Sequence, residues 1–234
     1  MQDEIIKHGK KIVKTASNPA HRLSEKIKEI GVEIGIIVFA VSLSIWLHSW
    51  SEQRHQQQEV KTFLKGLKTD LDQDIQLLED NKKAISNLGD NFRFLLMFNK
   101  TANGKAQDSI VSSRLFFDMR STHANIGRYE GFKSSGKIGN ITNEDLKQRI
   151  LVFYEQTLPD LTYGENYVNG LEDKMLNWQI DQNGKLSVSE LVMTPKMKSL
   201  FNIGVYNCGV NVAAYSTAIG QARKIMTEID QEIK

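Results

Sequence analysis

The most apolar stretch of the chain, Ile30-Gly-Val-Glu-Ile-Gly-Ile-Ile-Val-Phe-Ala-Val-Ser-Leu-Ser-Ile-Trp-Leu-His-Ser-Trp50, is uncharged from Ile34 to Leu47. Its hydrophobic residues point to every side of a helix rather than forming a stripe, the pattern of a membrane span. At about 1.5 Å per residue, such a stretch covers a hydrocarbon core of about 30 Å. Trp46 and Trp50 stand at one end, where indole rings favour the headgroup layer. Glu33 lies near the other end. It fits an interfacial charge, with a carboxylate working inside the membrane as the alternative. Gly31 and Gly35, followed by Ala40 and Ser44, repeat small residues at a spacing that permits close helix packing. The 29 residues ahead of Ile30 are polar, and no small-x-small site follows the apolar run. A signal anchor is therefore expected rather than a cleaved leader.

Beyond Trp50 the chain is polar to Glu59, then strongly periodic. Val60, Leu64, Leu67, Leu71, Leu78, Ile85 and Leu88 recur near a 3.5-residue spacing without an intervening proline. This predicts one helix from the membrane to about Leu88, a stalk that becomes part of a bundle. Asp74 and Asn81 occupy core positions in that register, which favours packing within the chain over a self-associating coiled coil. Phe92 to Phe98 is dense enough in apolar residues to be core. Ile110–Met119 reads as a short helix, and Tyr129–Gly139 as loop or broken helix. Thr142-x-x-Asp145 resembles a capping box opening a helix with Leu146, Ile150, Phe153 and Tyr154 on one face. Pro159 opens the next, aligning Tyr167, Leu171, Met175 and Trp178. Lys185–Val192 fits a short strand or extended loop. Thr194-Pro195 starts a last helix with Tyr206, Val210, Ala214, Ala218, Ala222, Ile225 and Ile229 aligned. Ser199–Ala222 is also uncharged and long enough for a second span. Asn202, Asn207 and Asn211 are costly in lipid, so a bundle helix is expected there.

The expected fold is therefore mainly α. Residues 1–29 form a cytoplasmic basic tail, residues 30–50 a transmembrane helix, and residues 51–234 an extracytoplasmic helical domain. Within the tail, Ile5, Ile6, Ile12 and Val13 alternate with lysines, consistent with a surface-lying amphipathic helix or a frayed solvated end. Lys10, Lys11, Lys14, Arg22, Lys26 and Lys28 precede the span, and Arg54, Lys61, Lys65 and Lys68 follow it. This bias puts the N-terminus in the cytoplasm and the domain in the periplasm of a Gram-negative cell. Only three prolines occur in 234 residues, in keeping with long helices. A single cysteine, Cys208, forbids an intrachain disulfide, and a net charge of +2 gives no sign of a nucleic-acid partner.

Candidate chemistry is sparse. Gly131-Phe-Lys-Ser-Ser-Gly136-Lys137-Ile138 approaches a phosphate-binding loop but has isoleucine where the magnesium-holding hydroxyl belongs and no strand before it. Gln179 to Glu190 echoes a calcium loop but begins with a neutral glutamine. His48 and His55 lie too far apart to chelate one metal within one chain. Cys208 sits in an apolar helix as a buried structural cysteine. Asp70, Asp72, Asp74, Glu79 and Asp80 read as a solvated helix face. No cofactor, metal or catalytic set is predicted, so an enzyme is not expected. The expected role is a membrane-anchored interaction or scaffold protein, an accessory subunit of an envelope complex. Its partners would be membrane lipid and either another protein or a second copy. The alternatives are a helical ligand-sensing ectodomain working through a partner and a self-assembling membrane effector.

Two segments carry a family resemblance. Glu29-Ile30, Glu33-Ile34-Gly35-Ile36, Ala40 and Trp50-Ser51-Glu52, leading into a charged helix, form the first. The second is Tyr129-Glu-Gly-Phe-Lys-Ser-Ser-Gly136, followed by Ile141-Thr-Asn-Glu-Asp-Leu146, Ile150 and Phe153-Tyr154. Both resemble an uncharacterised family of single-pass inner-membrane proteins of Bacteroidota. The resemblance implies one N-terminal span and brings no activity. Trp46-Leu-His48 departs from the more polar turn expected at the membrane exit.

Overall fold

A computed structural model describes residues 23–99, 104–182 and 184–233. The tail expected at residues 1–18 and the helix start at Ser17-Asn18-Pro19 lie outside the described residues. Among those described, helices dominate and no strand occurs. The chain divides into two units, Met1–Glu59 and Val60–Lys234.

The longest element, α1, spans Leu23–Met97 and contributes to both units. In the first unit its apolar side chains are largely exposed among the described residues. Ile34, Val38, Phe39, Ile45, Trp46 and Leu47 are all exposed, and an 18-residue window of mean hydropathy 2.2 is 0% buried. Among the described residues this is the one helix long and apolar enough to cross a membrane. The guanidinium of Arg54 lies over the Trp50 ring, 4.0 Å from its centroid.

The second unit is a helical bundle built on heptads. From Val60 onward α1 buries a continuous row: Val60, Leu64, Leu67, Leu71, Asp74, Leu78, Asn81, Ile85, Leu88, Phe92 and Leu95. The helix outruns its expected end near Leu88 because Phe92 and Leu95 extend the row. Lys198 then closes it. Its ammonium donates to the carbonyls of Leu95, Leu96 and Phe98 at 2.8, 2.6 and 2.8 Å, the acceptors a helix end leaves unsatisfied.

After α2 (Gly104–Arg114), residues 115–126 are not helical. The short helix expected at Ile110–Met119 thus lies earlier and stops at Arg114. Next come α3 (Gly127–Ser134) and a 3-10 turn (Lys137–Asn140). Helix α4 (Glu144–Val152) starts with Asn143 as its cap, accepting from the Leu146 amide at 3.1 Å. The cap is therefore one residue later than the Thr142 box predicted.

Pro159 stands in the first turn of the next helix, as expected, but no loop separates that helix from α4. A π-turn at Phe153–Thr157 joins α4 to α5 (Leu158–Asp181), and the Leu158 amide reaches back five residues to the Phe153 carbonyl. Proline has no N–H to give the carbonyl four residues earlier and crowds it. A widened turn just upstream relieves that conflict without breaking the helix. Helix α6 (Val188–Met193) replaces the strand or loop expected there, begun by a capping box between Ser187 and Glu190.

The last helix, α7 (Pro195–Glu232), runs antiparallel to both α1 and α5. Lys68 pairs with Asp230 at 2.5 Å, Arg223 pairs with Glu79, and the Thr157 hydroxyl donates to Gln221 at 2.7 Å. Its buried row is Met197, Phe201, Gly204, Cys208, Asn211, Tyr215, Ala218, Ala222, Ile225 and Ile229. The expected alignment through Tyr206 and Val210 holds only from Ala218 onward; those two residues are 72% and 49% exposed. Close approach explains the choice of row. A Cβ on Gly204 would stand 2.5 Å from the Phe92 ring, and one on Gly164 of α5 would stand 2.6 Å from the Asn211 amide oxygen. Small residues let the backbones meet, and Tyr206 would not fit there.

Candidate functional site

The sequence-predicted membrane residues all lie on α1 in the first unit. Gly31 and Gly35 face open space, with nothing within 4 Å of a built Cβ. The Ser44 hydroxyl donates to the Ala40 carbonyl at 2.8 Å on the same helix. Trp46 and Trp50 are 60% and 45% exposed, and Glu33 is half-buried.

A different set of polar residues organises the bundle. The acidic stretch of α1 is only partly the solvated face expected: Asp74 is buried, and Asp70 pairs with Arg128 at 2.7 Å. Glu165 and Glu172 of α5 and Asn81 of α1 are also buried. All sit in heptad core positions, where unpaired carboxylates would be prohibitive. Their partners come from the extended segment 115–126, which lies along α1 and α5 as a strap.

The strap behaves as a strand with no neighbouring strand. From Asp118 to Ala124 its residues alternate half-buried and exposed, the period of an extended chain. The Asp118 amide donates to Glu172 Oε1 at 3.1 Å, the Arg120 amide to Asn169 Oδ1 at 3.1 Å, and the Thr122 amide to Glu165 Oε2 at 2.8 Å. Asn169 also donates to the Arg120 carbonyl at 2.8 Å, so one side-chain amide stands in for the peptide of an adjacent strand. Glu165, Asn169 and Glu172 fall one helical turn apart on one face, which sets them opposite alternate strap amides. On the α1 side, Asp74 Oδ1 accepts both the backbone and side-chain N–H of Asn125, at 2.9 and 2.8 Å. Asn81 donates to the Thr122 hydroxyl at 3.1 Å, which itself donates to Glu165 Oε1 at 2.5 Å. The Tyr215 hydroxyl of α7 donates to the same oxygen. Glu165 therefore ties α5, α7 and the strap together, with Asn81 of α1 joined through Thr122.

Burial moves the titrations of this set. Desolvation raises Glu172 to about 7, opposed by the Asp118 amide and reinforced by the nearby Asp118 and Asp173 charges. Desolvation also raises Asp74 despite its bonds from Asn125. One oxygen on each, Glu172 Oε2 and Asp74 Oδ2, is buried without a hydrogen-bond partner among the described residues, which suits a neutral acid better than an anion. Burial pushes the Cys208 thiol up to about 12, leaving it unreactive.

Where the strap meets α3 and the π-turn, a groove of about 620 Å3 opens. Thr122, His123, Ala124 and Ile126 form one side; Tyr129 and Glu130 come from α3, and Tyr154 and Glu155 from the π-turn. Leu158, Pro159, Thr162, Tyr163 and Asn166 of α5 complete it. Tyr129 stacks on Tyr154 at 4.3 Å between centroids, and its hydroxyl donates to Glu155 at 2.6 Å. Hydrogen bonds from Lys133 and Tyr129 hold Glu155 below the usual carboxylate range.

The motifs that resembled ion and phosphate sites have structural roles. Gly131 lies inside α3, and Gly136 adopts a left-handed φ of 74° that ends the helix. Glu190 accepts from the Ser187 amide and hydroxyl, both at 2.9 Å, within the α6 cap. Among the described residues no group of three or more His, Cys, Asp or Glu is placed to hold a metal ion.

Sequence reasoning found Asp74 and Asn81 as misfits in a heptad and missed the strap they serve. The same signal was present in α5, where Leu158, Leu161, Glu165, Val168, Glu172 and Met175 make one heptad row with glutamate in two core places. No curated protein and no solved structure matches the chain. The profile of a family of unknown function, DUF6090, matches residues 32–203, spanning the apolar part of α1, the strap, the groove and the start of α7. The chain belongs to the DUF6090 family.

Proposed function

We propose that the protein is a single-pass, membrane-anchored interaction protein that performs no catalysis and presents its helical bundle to a partner in the cell envelope. The observation that carries this reading is the apolar part of α1, 0% buried over its most hydrophobic window. A helix in the core of a soluble domain hides such a surface; a lipid bilayer satisfies it without a protein partner. Trp46, Trp50 and Arg54 then sit at a headgroup layer, and Gly31, Gly35, Ala40 and Ser44 offer a packing face within the bilayer. The charge bias of the flanks supports an inner-membrane orientation with the N-terminus in the cytoplasm and the bundle in the periplasm. The buried polar groups of the bundle serve as structural anchors for the strap, which supports a binding role over a chemical one.

The test is extraction of tagged full-length protein from membranes in mild detergent, followed by native mass and identification of co-purifying proteins. Envelope proteins recovered at fixed stoichiometry support the reading. Recovery in the soluble fraction without detergent overturns the anchor, and a monomer without partners overturns the interaction role.

A further inference from the structure

We infer that the groove between the strap, α3 and the π-turn binds a small organic cation, an alkylammonium compound held by carboxylates and phenol rings. The lining carries two carboxylates, Glu130 and Glu155, three tyrosines and one histidine, and neither lysine nor arginine. A concave wall of that composition concentrates negative potential, and the faces of phenol rings attract cations directly. The volume, about 620 Å3, falls in the range of small-molecule sites.

The chain already seats an alkylammonium at the rim. Lys133 lies 5.8 Å from the Tyr129 ring centroid and 2.5 Å from Glu155 Oε1. Its own chemistry thus marks the Tyr129–Glu155 pair as a cation-accepting corner. That corner is fixed in advance: Tyr129 is stacked on buried Tyr154 and bonded to Glu155. The opposite side is fixed too, because Glu165 holds Thr122 by its amide and hydroxyl. Tyr163 stands at the groove 75% exposed, an aromatic face available to a ligand. Groups held rigid before binding lose little entropy on binding.

This inference is independent of the anchor and of any protein partner. The experiment is isothermal titration of the full chain in detergent with spermidine, choline and, as an uncharged control, glucose. One or both amines bind at one site per chain. Glu130→Gln and Tyr163→Ala, both at exposed positions, each weaken binding about tenfold while the unfolding midpoint stays unchanged. Lys133→Ala removes the resident ammonium and tightens binding. Heat from neither amine, in the native chain or in Lys133→Ala, overturns the inference. Amine binding unaffected by Glu130→Gln and Tyr163→Ala overturns it as well, and binding of glucose alone replaces it with a neutral-ligand site.

Discussion

Two stretches of this chain lack charge, and they have opposite fates. Ile34–Leu47 in α1 exposes nearly every side chain, whereas Ser199–Ala222 in α7 buries Phe201, Gly204, Cys208, Asn211, Tyr215 and Ala218. Absence of charge does not separate them. What separates them is periodicity and the size of the residues that repeat. The first carries apolar side chains on every side and buries no row of them, its small residues Gly35, Ala40 and Ser44 included. The second repeats small and polar residues every half-heptad, and each has a matching partner: Gly204 against Phe92, Asn211 against Gly164, Tyr215 against Glu165. A polar residue in an apolar helix therefore signals a bundle when its partner lies at the matching height of a neighbour.

The comparison breaks most severely at Glu165. Glu165→Ala strands the Tyr215 hydroxyl and the Thr122 amide in the core, and unfolding by urea should show a loss of about 3–5 kcal/mol. The first stretch is tested by Val38→Lys. A lysine at mid-span costs insertion about 2.5–3.5 kcal/mol, so the protein shifts toward the alkali-extractable fraction. Ala213→Lys, at an exposed site on α7, leaves both fractionation and stability unchanged. Gly204→Leu drives side-chain atoms into the Phe92 ring and costs about 1–3 kcal/mol in the same urea measurement.

The remaining effect is in pH. Glu172 rises from 4.5 to about 7 in the folded chain, so the folded state holds its proton more tightly than the unfolded one. Its contribution to stability is fully present below 4.5 and is lost as pH rises through about 7. Asp74 is raised too and acts in the same direction at lower pH. The charges facing Glu172 are Asp118 of the strap and Asp173 of its own helix, with the Cys208 thiol of α7 nearby. The thermal midpoint should climb as buffer moves from about pH 8 to about pH 5, and Glu172→Gln should flatten most of that climb.

The helical elements were legible because their signals are local. Heptad spacing located α1 and the middle of the bundle, and proline with threonine marked the start of α7. Two things were not local. The row that α7 buries depends on which neighbour carries a glycine at the same height, which one chain of residues does not reveal. The strap depends on carboxylates some 40 to 55 residues away in sequence, as in the Thr122–Glu165 and Asp118–Glu172 bonds. Asp118-Met-Arg-Ser-Thr-His has no strong turn signal and little apolar periodicity, so its extended form is imposed by the helices beside it. The groove was invisible for the same reason: its walls come together only after the strap is placed.

The strap has an evolutionary consequence. Its anchors read the amides of Asp118, Arg120, Thr122 and Asn125, groups that every amino acid except proline supplies. Substitutions that keep those amides can therefore remodel exposed side chains such as Ser121 and His123 without releasing the segment. Foldability and surface identity are written in different atoms here, so drift along the strap can retune what the groove recognises while the bundle stays as it is.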